Sequence, residues 1–131
     1  MSRTTLTRAI PVLFVANVTS AAAYFRDTLG FSIDFLHGQP PFYGSVSRDS
    51  ACLHLKFVHE SVLNVAAPDR DALIMAFVEV ANVGALFAEY TDAGVTFLQT
   101  LTPQQWGRDF IVQAPDGNAI CFSGRGDEAV I

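Results

Sequence analysis

The chain carries one pattern twice. Residues 10–18, IPVLFVANV, are echoed by residues 75–83, MAFVEVANV, and both runs close on Val-Ala-Asn-Val at an offset of 65. Each run is apolar and rich in β-branched residues, as a half-buried or buried strand is. A helical stretch follows each run. TSAAAYFRDTLG has Thr19 or Ser20 as the expected N-cap and Gly30 as the stop, and VGALFAEYTDAG stops at Gly94. Tyr24, Phe25 and Leu29, then Leu86, Phe87 and Tyr90, recur at helical spacing. The β-rich FSIDFL and VTFLQTL come next. The halves also end alike, DSACLHL at 49–55 lying over DGNAICF at 116–122 at an offset of 67. One short match can arise by chance; several elements in the same order at nearly constant offset are not explained that way. The expected fold is α+β: two tandem βαβββ modules, about 7–58 and 72–123, in a single domain spanning 1–131. The linker between them centres on NVAAPDRD.

Composition narrows the function. At 131 residues the chain can bury one sizeable core. Half of its residues are hydrophobic and only 16% are charged, which excludes a disordered chain. A net charge of −5 with no Lys/Arg cluster argues against a nucleic-acid partner. The early arginines precede an apolar run that contains Pro11 and Asn17 and lacks a small-residue cleavage signal, so it reads as a strand and not as a signal peptide. Nothing approaches a membrane span. Cys52 and Cys121 show neither CxxC spacing nor a disulfide framework, which suits reduced thiols in a cytoplasmic protein.

The segment WGRDFIVQAPDGNAICF at 106–122 reads as a strand, a Pro-Asp-Gly-Asn turn and a returning antiparallel strand. Together with YFRDTLGF at 24–31 and PPFYGSVSRDSACLHL at 40–55, it makes the chain resemble the vicinal oxygen chelate superfamily. That superfamily holds glyoxalase I, extradiol dioxygenases, fosfomycin-resistance enzymes and bleomycin-resistance proteins. The resemblance runs from about Ala9 to Ser123, and the Trp-Gly pair before the last hairpin looks most like the bleomycin-resistance branch. Ala114 departs from the family's usual Asp before the proline, a local turn contact. The resemblance implies that the modules form a curved mixed sheet with a concave cup, and that the protein is a homodimer with two ligand grooves.

Alternation along the strands divides the side chains into two faces. Leu13, Val15, Leu53, Leu55, Phe57, Ile74, Ala76, Val78, Val80, Ile120 and Phe122 form a wholly apolar set suited to helix cover. Ile10, Val12, Phe14, Cys52, His54, Lys56, Met75, Phe77, Glu79, Ala119 and Cys121 form the mixed set, assigned to the cup.

Carried over by residue, the family's metal-ligand positions are Ile10, His54, Met75 and Cys121. Hard and borderline divalent ions take oxygen or imidazole donors, so the resemblance with these residues implies a lost metal site and no cofactor. His54, Met75 and Cys121 form a soft set that would suit only Cu(I), although Met and Cys also fill apolar space readily. His54 has three readings: hydrogen-bond partner of a ligand, partner of Glu79 or Lys56, or satisfied interior residue. Cys121 would be nucleophilic only if a neighbour such as His54 stabilised its thiolate. No Gly-rich phosphate loop is present, His59-Glu60 lacks the second His of a zinc-protease helix, and no Ser sits in a nucleophile elbow. Phe35, Phe42, Tyr43, Trp106 and Phe110 fall in or beside loops flanking the cup, where flat rings stack on aromatic or cationic groups.

The expected function is therefore metal-independent sequestration of a small molecule, cationic or aromatic, resembling that of bleomycin-resistance proteins. His54, Trp106, Tyr43, Phe35, Phe42, Phe110, Met75, Cys121 and Glu79 are the expected ligand-binding residues, with no catalytic residue. The alternative is a glyoxalase-like or dioxygenase-like metalloenzyme, a lyase or oxidoreductase, with ligands drawn from His37, His59, Glu60 and Glu79.

Overall fold

A computed structural model describes residues 2–59 and 73–125. The expected linker and the candidate ligand Glu60 lie outside the described residues. The first module runs β1 (Val12–Val15), α1 (Val18–Asp27), β2 (Ser32–Gly38), β3 (Pro41–Arg48) and β4 (Ala51–Phe57). The second repeats it with β5 (Ile74–Val80), α2 (Val83–Asp92), β6 (Phe97–Gln104), β7 (Gly107–Gln113) and β8 (Ala119–Arg125). Each module builds its own four-stranded mixed sheet, in the orders β1-β4-β3-β2 and β5-β8-β7-β6. The first and last strands of a module pair in parallel, and the remaining pairs are antiparallel. No helix among the described residues is long and apolar enough to cross a membrane.

The duplicated Val-Ala-Asn-Val is the hinge of each strand-to-helix passage. Its first Val ends the strand, its Asn is the N-cap, and its second Val opens the helix. The Asn17 side-chain carbonyl accepts from the Ser20 N–H at 2.9 Å, and Asn82 accepts from Ala85 N–H at 3.2 Å. The caps therefore stand before Thr19 and Ser20. Those two residues lie within α1, because Asn17 already caps its first turn. Val18 and Val83 are buried against the core. Gly30 and Gly94 follow the helices in left-handed conformations, with φ of 79° and 77°, and turn the chain towards the next strand.

Each helix packs on its own sheet, α1 on β2, β3 and β4, and α2 on β7 and β8. Alternation then decides the core. Leu13, Val15, Val46, Leu53 and Leu55 are buried beneath α1, and Ile120 and Phe122 beneath α2. The second module's core is aromatic: Phe110 stacks on Phe122 with centroids 5.3 Å apart, and Tyr90 meets Phe122 edge-on at 5.5 Å. Two residues of the expected helix-covered set are exposed, Phe57 at 36% and Ile74 at 41%. Both stand at strand ends, and the pairing of β5 with β8 shifts register just after Ile74.

The carbonyl of Leu29, left without a helical partner past the end of α1, binds the modules together. The Tyr90 hydroxyl donates to it at 2.8 Å and Arg48 Nη1 at 3.0 Å. Arg48 also forms a two-pronged pair with Glu89, at 2.8 and 3.0 Å, which holds the Glu89 carboxyl below its usual range. On the other side Asn118, buried after the turn Pro115–Gly117, donates to the Phe14 carbonyl at 3.0 Å. Burial pushes the Tyr90 phenol up to about 12, against about 10 for a free tyrosine. The neutral phenol is thus the form the fold favours. That stabilisation is complete below about pH 10 and is lost as the pH rises towards the folded value. Tyr90→Phe is expected to cost about 1 kcal/mol in urea unfolding at neutral pH, since Arg48 keeps its bond to the Leu29 carbonyl. The variant should also lose less stability than the native protein on going from pH 10 to pH 12.

Candidate functional site

Because the helices occupy one face of each sheet, the opposite faces hold whatever chemistry the strands present. On the first sheet the central strand β4 places Cys52, His54 and Lys56 there, facing Ser47, Ser45 and Tyr43 of β3. Val12 and Phe14 of β1 flank them on the other side. His54 is half-buried, and its Nδ1 shares a hydrogen bond of 2.9 Å with the Tyr43 hydroxyl. The Tyr43 and Phe35 rings both stand nearly perpendicular to the imidazole, with centroids 5.3 and 5.9 Å from it. Alongside, the exposed Asp34 carboxylate accepts from the hydroxyls of buried Ser45 and of Ser47 at 2.8 and 2.7 Å, and Ser45 Oγ lies 3.5 Å from Cys52 Sγ.

On the second sheet Cys121 stands where His54 stands on the first, opposite Ile111 as His54 is opposite Ser45. Two residues before each of those partners come Asp109 and Tyr43, so the pairs Asp109–Cys121 and Tyr43–His54 correspond. Their environments differ. Asp109 is buried, and its carboxylate accepts from Gln99 at 2.7 Å and Gln104 at 3.2 Å. Burial first, then the neighbouring Asp109 charge and its hydrogen bond, pushes the Cys121 thiol up to about 11. Cys121 is therefore held as a neutral thiol, which removes the nucleophilic reading that needed a stabilised thiolate.

The rim of the second sheet is open. Phe77 and Trp106 are 56% and 52% exposed, and with Glu79 and Arg125 they line a depression of about 570 Å³. Glu79 is exposed and 3.5 Å from Arg125, a weak surface pair.

The nine expected binding residues fall into three groups. Tyr43, His54 and Phe35 come together on the first sheet, with Phe42 close by against His37, ring centroids 5.2 Å apart. Trp106 and Glu79 come together on the second. Phe110, Met75 and Cys121 are withdrawn. Phe110 lies wholly in the core rather than beside a loop, because its position in β7 points it at Phe122 and Tyr90. Met75 packs against the core at the register shift that opens β5. No hydrogen bond or ring contact joins His54 to Glu79 or Cys121 among the described residues. Of the alternative ligands, His37 and His59 pack against Phe42 and Phe57.

Among the described residues no three His, Cys, Asp or Glu side chains group as a metal site would require. The residues that the resemblance carries over as metal ligands do not suit a divalent ion: Ile10 is hydrocarbon, Met75 lies against the core, and Cys121 is a buried thiol. Sequence reading missed Asp109, whose segment, between the Trp-Gly pair and the Pro-Asp-Gly-Asn turn, suggested only a strand. It placed Phe77 on the open face by parity, yet no motif marked that residue for binding.

The burial difference sets up a direct check. Iodoacetamide near neutral pH is expected to alkylate Cys52 in the native protein and Cys121 only after unfolding, as read by peptide mass spectrometry. Equal native rates at the two thiols would contradict the environment described for Cys121.

Comparison with known proteins agrees with this architecture. A family model described as the Glyoxalase/Bleomycin resistance protein/Dioxygenase superfamily matches residues 7–122. No curated protein sequence matches the chain. Among solved structures, the chain is similar to the bleomycin-binding protein from bleomycin-producing Streptomyces verticillus complexed with copper(II)-bleomycin. The identity there is 27% and the TM-score 0.72, over 93% of this chain and 98% of that one. A glyoxalase-related enzyme from Clostridium phytofermentans has 19% identity and a TM-score of 0.73, over 95% and 99% of the two chains. TioX from Micromonospora sp. ML1 has 18% identity and a TM-score of 0.69, over 90% and 99%. The last two share the fold. With the duplicated modules, the sheet orders and a family match over nearly its whole length, the chain belongs to the glyoxalase/bleomycin resistance protein/dioxygenase superfamily.

Proposed function

We propose that the protein sequesters a small molecule on its open sheet faces, without metal and without bond chemistry. The observation that carries this reading is the pair of exposed aromatic rings, Phe77 and Trp106, beside the Glu79 carboxylate. An aromatic ring leaves water when a flat ligand stacks on it, and a neighbouring carboxylate favours a cationic one. Phe35 and Phe42, also exposed, offer the same surface on the first sheet. The likeness to a protein that binds copper(II)-bleomycin supports a ligand of that general kind. Tyr43, His54, Phe35, Phe42, Trp106 and Glu79 are the contact residues in this reading. Phe110, Met75 and Cys121 serve it from behind by shaping the sheets.

A homodimer belongs to the same proposal. Val12, Phe14, Phe35 and Phe77 leave much apolar area open on the sheet faces, and a second copy would cover part of it while closing the groove. So does a cytoplasmic setting, which suits two unpaired thiols, and so does one domain made of modules 7–58 and 72–123. Sedimentation equilibrium at micromolar protein is expected to give twice the chain mass. A monomer throughout would remove the shared groove.

Trp106 is the chain's sole tryptophan, so intrinsic fluorescence reads the rim directly. Titration with metal-free bleomycin should change its emission saturably, with matching calorimetric heat. Trp106→Ala, followed by calorimetry, should weaken binding roughly tenfold, the equivalent of ~1.4 kcal/mol from lost stacking and burial. Absence of both signals would remove the bleomycin-type ligand. A full equivalent of Mn, Fe, Co, Ni, Cu or Zn in protein purified without chelator would favour the metalloenzyme instead.

A further inference from the structure

The bond between Tyr43 and His54 determines what the first sheet can offer a ligand. A neutral imidazole carries one hydrogen, and its two nitrogens divide the donor and acceptor roles. The Tyr43 hydroxyl lies 2.9 Å from Nδ1, and Nε2 has no hydrogen-bond partner among the described residues. Nor is Nε2 one of the sealed, unpartnered polar atoms of the interior. It is the nitrogen left for a bound molecule.

Two arrangements satisfy the geometry. In one, Tyr43 donates to Nδ1 and the hydrogen sits on Nε2. In the other, Nδ1–H donates to the phenol oxygen and Nε2 is bare. The first joins the stronger donor to the stronger acceptor: a phenol O–H is more acidic than a neutral imidazole N–H, and the imidazole lone pair is more basic than that of a phenol oxygen. In the imidazolium, Nε2 carries a hydrogen regardless.

We propose that Tyr43 is a positioning residue that locks His54 with its hydrogen on Nε2, so that the first sheet presents a donor and selects a ligand bearing an acceptor oxygen of the carboxylate class. The charge nearby agrees. Lys56 lies next on the same face, directly across from Tyr43, with an exposed ammonium. The Asp34 carboxylate on β2 is engaged by the Ser45 and Ser47 hydroxyls and makes no hydrogen bond to His54 among the described residues. Phe35, nearly perpendicular to the imidazole and itself exposed, supplies an apolar wall for the rest of the ligand. The first sheet thus asks for an acceptor at His54 and Lys56, whereas the second offers flat apolar rings at Trp106 and Phe77. The ligand class rests on the sequestration reading; the tautomer does not.

The test is nitrogen-15 NMR of the full chain labelled at histidine, with His54 assigned by loss of its signals in His54→Gln. In the ligand-free protein the His54 Nε2 should show the shift of a protonated ring nitrogen and Nδ1 that of a bare acceptor. Tyr43→Phe should abolish this fixed pattern and give averaged shifts, while His37 and His59 keep theirs. A bare Nε2 with a protonated Nδ1, or a His54 pattern unchanged in Tyr43→Phe, would overturn the lock. Benzoate, which carries both a ring and a carboxylate, should then move the His54 Nε2 signal saturably, and benzylamine should not. Benzoate without effect up to its solubility, or a stronger response to benzylamine, would overturn the ligand class and leave the tautomer result standing. Failure of bleomycin to bind would leave both results readable.

Discussion

Parallel pairing between the first and last strand of each module is the constraint on which the structure depends. A chain that finishes β1 and must later lie parallel beside it needs a crossover, and α1 makes the first leg across one face of the sheet. The last strand then lies between the first and the third, and the helix occupies one face only. The other face is left to side chains that no helix covers. His54 and Cys121 sit at the middle of that face because β4 and β8 are interior strands, flanked by β1 and β3 in one sheet and by β5 and β7 in the other.

On this common frame the two copies have taken opposite chemical paths. The first sheet keeps a half-open imidazole held by a phenol. The second has a thiol at the matching position, closed off and neutral, with a buried carboxylate held by two glutamine amides. The aromatic mass of the second module has moved into its core and onto its rim: Phe110 and Phe122 inside, Phe77 and Trp106 outside. The modules are tied together through polar groups that the repeat itself left over, above all the Leu29 carbonyl past the end of α1. A buried carbonyl without a donor costs more than the bond gains, so Tyr90 and Arg48 make the union specific as well as stable.

The repeat, the order of elements and most of the helix-covered face were legible in the residues. Leu13, Val15, Leu53, Leu55, Ile120 and Phe122 follow strict alternation and are buried as alternation requires. The N-cap of α1 stands two or three positions before the expected Thr19 or Ser20, because Thr, Ser and Asn all make good caps and only the backbone geometry chooses among neighbours. Phe110 stands in the sequence beside the loops expected to flank the cup, where a ring can serve either the rim or the core. Its parity in β7, opposite to that of Asp109, turns it inward.

By itself the sequence determined the duplicated βαβββ plan, since hydrophobic periodicity and turn residues are local signals that the chain states twice. The family resemblance added that Ile10, Met75 and Cys121 stand beside His54 at the positions carried over as metal ligands. Only the tertiary structure decided which open-face residues are within reach of a ligand. Parity assigns a side chain to a face, whereas exposure depends on what stands opposite it. Met75 is withdrawn by a register shift, Cys121 is closed over beside a carboxylate twelve residues away, and His54 is aimed by a tyrosine eleven residues before it. Those are contacts between strands, and no single strand specifies them.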